Sequence, residues 1–284
     1  MEGNLEGTTE PVVAVIGHPV AGNPTQFALE CGFAHAGVDC RVLSFDVSDD
    51  RLDVAVSGLA ALHFSGVWVD ASCRDAVRQW LVHQGRSAQT ADVLQLDLAN
   101  SPASFRVTEE RDCLWPKLVQ EHFLRVGRSL RRVLVVGEEG ERRQQVIARL
   151  TGSGTGPAPS AEALLAEDRV RATANFSAST SLREVDCVIW LADAPDSWTV
   201  LQQKLAKRDG DPVWLVDLYE GWNGRGWDAA PTRWTDPAQA LVASAWLDRM
   251  TLHAALLAKA ADRWFGCTIP AEVFREAIEE YLAV

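Results

Sequence analysis

No apolar run in this chain approaches the roughly 20 residues a membrane span requires, and no segment recurs with the period of a solenoid. The stretch Met1-Glu2-Gly3-Asn4-Leu5-Glu6 lacks the basic and apolar regions of a secretory signal, so a cytoplasmic location is expected. The six cysteines (Cys31, Cys40, Cys73, Cys113, Cys187, Cys267) are scattered and contain no C-x-x-C pair. That spacing suggests neither a disulfide framework nor a zinc site, and the thiols read as reduced packing residues with no metal. Positive charge is scarce as well: 27 basic against 39 acidic residues give a net charge of −12, which works against nucleic acid and against anionic membranes as partners. None of the six histidines stands in a pairing with Ser, Cys or Asp that marks nucleophilic catalysis.

What is present is apolar and periodic. At 284 residues and 47% apolar the chain can bury a sizeable core, and its length suits two domains. Eleven tryptophans, many of them late in the chain, supply core and interface volume or the walls of a ligand site. Strands are expected at Val12-Val13-Ala14-Val15-Ile16-Gly17, from Arg41 to Phe45, from Gly66 to Val69, from Val133 to Val136, from Asp186 to Leu191 and from Val213 to Leu218. Helical periodicity lies between them, around Gln26 to Ala36, Arg51 to Leu62, Arg74 to His83 and Thr108 to Leu130, then from Ala243 to Phe265 and Ala271 to Leu282. Strands alternating with helices imply a mostly parallel sheet covered on both faces.

The stretch from Arg132 to Arg143 is the most informative. An apolar strand runs into Gly137-Glu138-Glu139-Gly140 and then a helix, the setting in which backbone N–H groups hold a pyrophosphate. Two glutamates stand where the phosphates would come, and like charges at close range cost roughly 4 kcal/mol per pair at an effective dielectric near 20. Acids at a helix N-terminus also stabilise the helix on their own account. The segment from Thr151 to Ser160 is too rich in Gly and Pro for the central strand a dinucleotide fold would put there. Both features count against a nicotinamide cofactor.

Together, Ala14-Val15-Ile16-Gly17-His18-Pro19-Val20-Ala21, Leu43-Ser44-Phe45-Asp46-Val47, Gly66-Val67-Trp68-Val69, the turn from Val133 to Gly140, Asp217-Leu218-Tyr219 and Asp262-Arg263-Trp264-Phe265-Gly266 resemble the shikimate dehydrogenase family. The resemblance implies an α/β protein with a substrate-binding domain over residues 1–100, a Rossmann-like domain with a degenerate nucleotide site over 101–242, and C-terminal helices over 243–284 that return to the first domain. It places the two substrate-binding serines on Asn23 and Thr25, both still hydrogen-bonding groups, with His18 in place of an asparagine at the mouth of the first strand. The catalytic lysine becomes Arg74, which keeps the charge but cannot lose a proton at neutral pH. Its aspartate partner falls in Thr108-Glu109-Glu110-Arg111-Asp112, with Glu110 and Asp112 the candidates. Two readings of Arg74 stand: an anion-binding group, or one half of a structural ion pair with Glu110 or Asp112. The family's V-N-T asparagine has no counterpart in Ala91-Asp92-Val93-Leu94, and its C-terminal glutamine becomes Leu256. The cofactor glycines reduce to Gly137 and Gly140, and the segment that recognises a 2′-phosphate dissolves near 151–160.

The joint loss of base, partner and cofactor motifs points to a pseudoenzyme of the family that binds, regulates or scaffolds, with a cleft suited to a small organic acid. A protein partner or a homodimer is compatible with such a role. Two alternatives remain open: an enzyme repurposed to a small carboxylic acid without nicotinamide, and a divergent NADP-dependent shikimate or quinate dehydrogenase.

Overall fold

The computed structural model describes residues 10–85, 91–97, 104–109, 111–152, 165–174, 176–192, 195–207, 213–218, 246–247 and 249–283. These form two compact units. The described residues up to Arg111 and from His253 onward make the first, and those from Asp112 to Leu252 make the second.

In the first unit the order is β1 (Val12–Gly17), α1 (Thr25–Ala36), β2 (Arg41–Asp46), α2 (Leu52–Ala61), β3 (Gly66–Val69), α3 (Arg74–His83), β4 (Val93–Asp97) and β5 (Ser104–Glu109). Its sheet runs β2-β1-β3-β4-β5. β1 pairs parallel with β2 and β3, as each βαβ crossover requires, and its central residues Val13 to Ile16 are fully buried because helices cover both faces. On one face Ala14, Ile16, Val67 and Val69 pack against Leu52 and Val56 of α2 and Val77 and Leu81 of α3. On α1, Phe33 meets Phe265 edge to face with centroids 5.2 Å apart, and Phe27 lies 5.9 Å from Tyr281. The sheet is mixed rather than mostly parallel: β4 is antiparallel to both β3 and β5.

β5 also corrects the expected helix from Thr108 to Leu130. Phe105 and Val107 turn alternately into the core, a period of two that keeps Thr108 and Glu109 in the strand, and the helix α4 begins only at Arg111 and ends at Arg125.

The second unit holds most of α4 together with β6 (Val133–Val136), α5 (Glu141–Thr151), β7 (Val170–Thr173), β8 (Cys187–Trp190), α6 (Pro195–Ala206), β9 (Trp214–Asp217) and β10 (Trp246–Leu247). All pairings are parallel, in the order β10-β9-β8-β6-β7. Leu134, Val136, Val188 and Trp190 form a core with Leu201 and Leu205 of α6, and His122 of α4 stacks on Trp214 at 4.1 Å.

Two sequence expectations change here. A second strand does follow α5: β7 pairs with β6 from Val133↔Val170 to Val136↔Thr173. It lies beyond the Gly/Pro stretch, and as an edge strand with only partly buried or exposed residues it carries Arg171 and Thr173, so no apolar run announces it. The strand that a dinucleotide fold requires beside β6 is therefore present, and its expected absence no longer counts against a cofactor. Likewise Trp246 and Leu247, expected to be helical, extend the sheet beside Leu215 and Val216.

Two helices close the chain, α7 (Arg249–Phe265) and α8 (Ala271–Ala283). Among the described residues no helix is long and apolar enough to cross a membrane.

Candidate functional site

In the first unit, β1, β2 and β3 end side by side, with Gly17 opposite Asp46 and Ile16 opposite Val69. Parallel strands leave from one edge, so the residues that follow them gather at the carboxyl end of the sheet, where open α/β folds place ligands. A Cβ on Gly17 would lie 3.1 Å from the Asp70 Cβ and 3.5 Å from the Ser72 Oγ, so the glycine lets the β3–α3 loop come close.

His18 is held from two sides. Its backbone N–H donates to the Ser72 Oγ (2.9 Å), and its Nδ1 lies 2.6 Å from the Asp46 Oδ1. The Val20 N–H donates to the other Asp46 oxygen at 3.3 Å, so one carboxylate organises the turn after β1. The hydrogen bond and charge of Asp46 raise the His18 pKa above its ordinary 6.5, helped by Asp49 and Asp50. The same hydrogen bond from His18, joined by the Val20 N–H, holds Asp46 below its ordinary 3.8. A raised histidine contributes stability that is complete below 6.5 and lost as pH rises through the folded-state value. A depressed aspartate contributes stability present above 3.8 and lost as pH falls through its own. The pair is therefore intact between those two folded-state values. An NMR titration of His18 is expected to give a midpoint above 6.5 that falls toward 6.5 in Asp46→Asn; an unmoved midpoint would contradict the pairing.

Asn23 works within the loop. Its Nδ2 donates to the Asp70 Oδ1 at 2.8 Å, and its Oδ1 accepts the Thr25 N–H at 2.9 Å at the start of α1. Thr25 is fully buried, with Oγ1 2.9 Å from Nε2 of His253 on α7. The His253 ring packs on Trp68 with centroids 4.7 Å apart. Asn23 and Thr25 thus lie close together, with their polar groups engaged inside the protein.

Arg74 opens α3 and places a guanidinium nitrogen 2.7 Å from the Asp92 Oδ1, with the two side chains only 13% and 1% exposed. Asp92 stands just before β4, where its carbonyl accepts the Val69 N–H at 2.9 Å. Glu110 lies outside the described residues, and so does the side chain of Asp112, the residue at which the second unit begins. Asp92 is thus a partner of Arg74 that the sequence reading passed over. It stood in the segment searched for an asparagine, where only a buried charge beside a cation would have betrayed it. Asp46, Asp70, Ser72 and His253 were missed for a similar reason, since each acts through a residue distant in sequence.

In the second unit Gly137 is required by packing, because a Cβ there would stand 2.7 Å from the Leu191 Cβ. The turn after β6 closes on itself. The Gly137 carbonyl accepts a hydrogen bond from Arg143 at 3.0 Å, and Arg143 reaches toward the Glu139 carboxylate at 3.6 Å. Gly140 caps α5, accepting the Gln144 N–H at 3.1 Å, and a Cβ there would meet nothing within 4 Å. After β7 the side chain of Phe176 is buried against the core of this unit. Around the next strand end, Trp190 donates to the Ala192 carbonyl at 2.7 Å. The turn is poorly suited to a dinucleotide phosphate: Arg143 is engaged by the Gly137 carbonyl and reaches toward Glu139, and acids stand at the helix entrance.

No family model matches the chain. A stretch of 86 residues is 30% identical to the shikimate dehydrogenase (NADP(+)) of Archaeoglobus fulgidus, and the chain spans about a third of that relative's length, 30% of this chain against 32% of that protein. Among solved structures, the shikimate 5-dehydrogenase of Thermus thermophilus in complex with shikimate superposes with a TM-score of 0.61 at 19% identity, covering 96% of this chain and 100% of that one. The 5-ketofructose reductase of a Gluconobacter strain superposes with a TM-score of 0.63 at 20% identity, covering 96% and 99%. The chain has the shikimate dehydrogenase fold, an α/β substrate-domain type unit joined to a Rossmann-like unit with C-terminal helices. Its motifs resemble that family.

Proposed function

We propose that this protein is a shikimate dehydrogenase-like pseudoenzyme, acting by binding or regulation without NADP-dependent dehydrogenase chemistry. The observation that carries the reading is the Arg74–Asp92 ion pair. A guanidinium does not give up a proton at neutral pH, and a buried carboxylate beside it favours the charged form further, so the position aligned with the family's lysine has a structural partner and no proton to move. The turn after β6 supports the same reading. Its acids and its engaged arginine disfavour a bound pyrophosphate.

The test is a calorimetric titration of the purified protein with NADP⁺, NADPH, NAD⁺ and NADH. No saturable binding is expected below the millimolar range. A dissociation constant in the low micromolar range would overturn the reading and favour a divergent dehydrogenase. One specific observation favours a second reading, an acid–base enzyme that uses no nicotinamide: the His18 imidazole, 56% exposed at the carboxyl edge of the sheet, is oriented by Asp46 as a general base would be.

A further inference from the structure

Three donors in the first unit converge on one carboxylate. The Asn23 Nδ2 donates to the Asp70 Oδ1 at 2.8 Å, while the Ser72 hydroxyl and backbone N–H donate to Oδ2 at 3.1 and 3.2 Å. An amide, a hydroxyl and a main-chain N–H around both oxygens of a carboxylate form the kind of donor set with which proteins hold carboxylate ligands. Here the carboxylate belongs to the chain. Asn23 comes from 47 residues away in sequence, and Gly17 leaves the space in which Asp70 and Ser72 approach β1.

We propose that Asp70 is a specificity-determining residue: a built-in carboxylate that fills the donor set of this loop and closes the site to external carboxylates. A free organic acid must displace a tethered competitor that needs no diffusion to return. It must also approach a loop that already carries the carboxylates of Asp70 and Asp46, the latter hydrogen-bonded to His18. Arg74, the nearby cation that would attract such an acid, is engaged by Asp92. Removing the Asp70 carboxylate leaves Asn23 and Ser72 with unfilled donors, which an external carboxylate then satisfies.

The inference deepens the proposed function by stating what its site rejects, and it is tested without any nicotinamide so that the two fail separately. Shikimate and its neutral methyl ester are titrated into the wild type, Asp70→Ser and Asp70→Asn by calorimetry, with thermal denaturation confirming that each variant folds. Asp70→Asn keeps an accepting oxygen in the loop and removes only the charge, so it isolates the electrostatic part of the exclusion and is read on that part if the serine variant fails to fold. The expected result is at least a tenfold gain in shikimate affinity on removal of the charge, with the affinity for the ester changed less than twofold. Shikimate binding by the wild type as tight as by the variants would overturn the proposal. So would a folded variant with no gain.

Discussion

Replacing Arg74 by alanine is expected to lower the stability of the protein by about 3–5 kcal/mol, the cost of leaving one member of a buried ion pair without its partner. Asp92 is 1% exposed and lies 2.7 Å from the guanidinium, so the alanine variant strands a carboxylate away from water. Urea unfolding measures the effect as a fall in midpoint at nearly constant slope. The paired change Arg74→Met with Asp92→Leu removes both charges and retains volume, and it is expected to recover most of the loss, since buried pairs exchanged for apolar groups are often neutral or stabilising. A loss below about 1 kcal/mol for Arg74→Ala would place the pair among exposed ion pairs, whose usual worth lies in that range, and would release Arg74 for ligand binding.

The second large expected effect is an absence of catalysis that one substitution does not repair. Lysine at Arg74 restores a group able to lose a proton, and a positioned acid or base contributes typically 10²–10⁴ in rate. The acids of the Gly137–Gly140 turn are unchanged, so Arg74→Lys is expected to show no shikimate-dependent nicotinamide reduction. Turnover in this variant would show that the position aligned with the lysine was the sole defect.

How much of this was legible in the sequence varied with the range of the interactions involved. β1, β3, α3 and α8 announced themselves through local pattern: unbroken apolar strands buried on both faces, and apolar stripes at helical spacing. The edge strands β7 and β10 did not, because a short edge strand needs no continuous apolar run and the first follows a Gly/Pro stretch that reads as its absence. At the carboxyl edge of the first sheet, Asn23, Thr25, His18 and Arg74 were visible as motif positions. Their partners Asp70, His253, Asp46 and Asp92 were not, because each pair joins residues that only the folded sheet brings together. That difference alters the chemistry. Groups that the sequence offers to a ligand are, in the folded protein, hydrogen-bonded to the chain itself.

The most direct test of the central claim is a spectrophotometric assay of the wild-type protein, at enzyme concentrations high enough to see a single turnover, with shikimate or quinate and either NADP⁺ or NAD⁺ at neutral pH. The expected result is no nicotinamide reduction above the protein-free control. Robust substrate-dependent reduction, abolished by Arg74→Ala in a sample shown to be folded, would contradict the account and make the protein a working dehydrogenase.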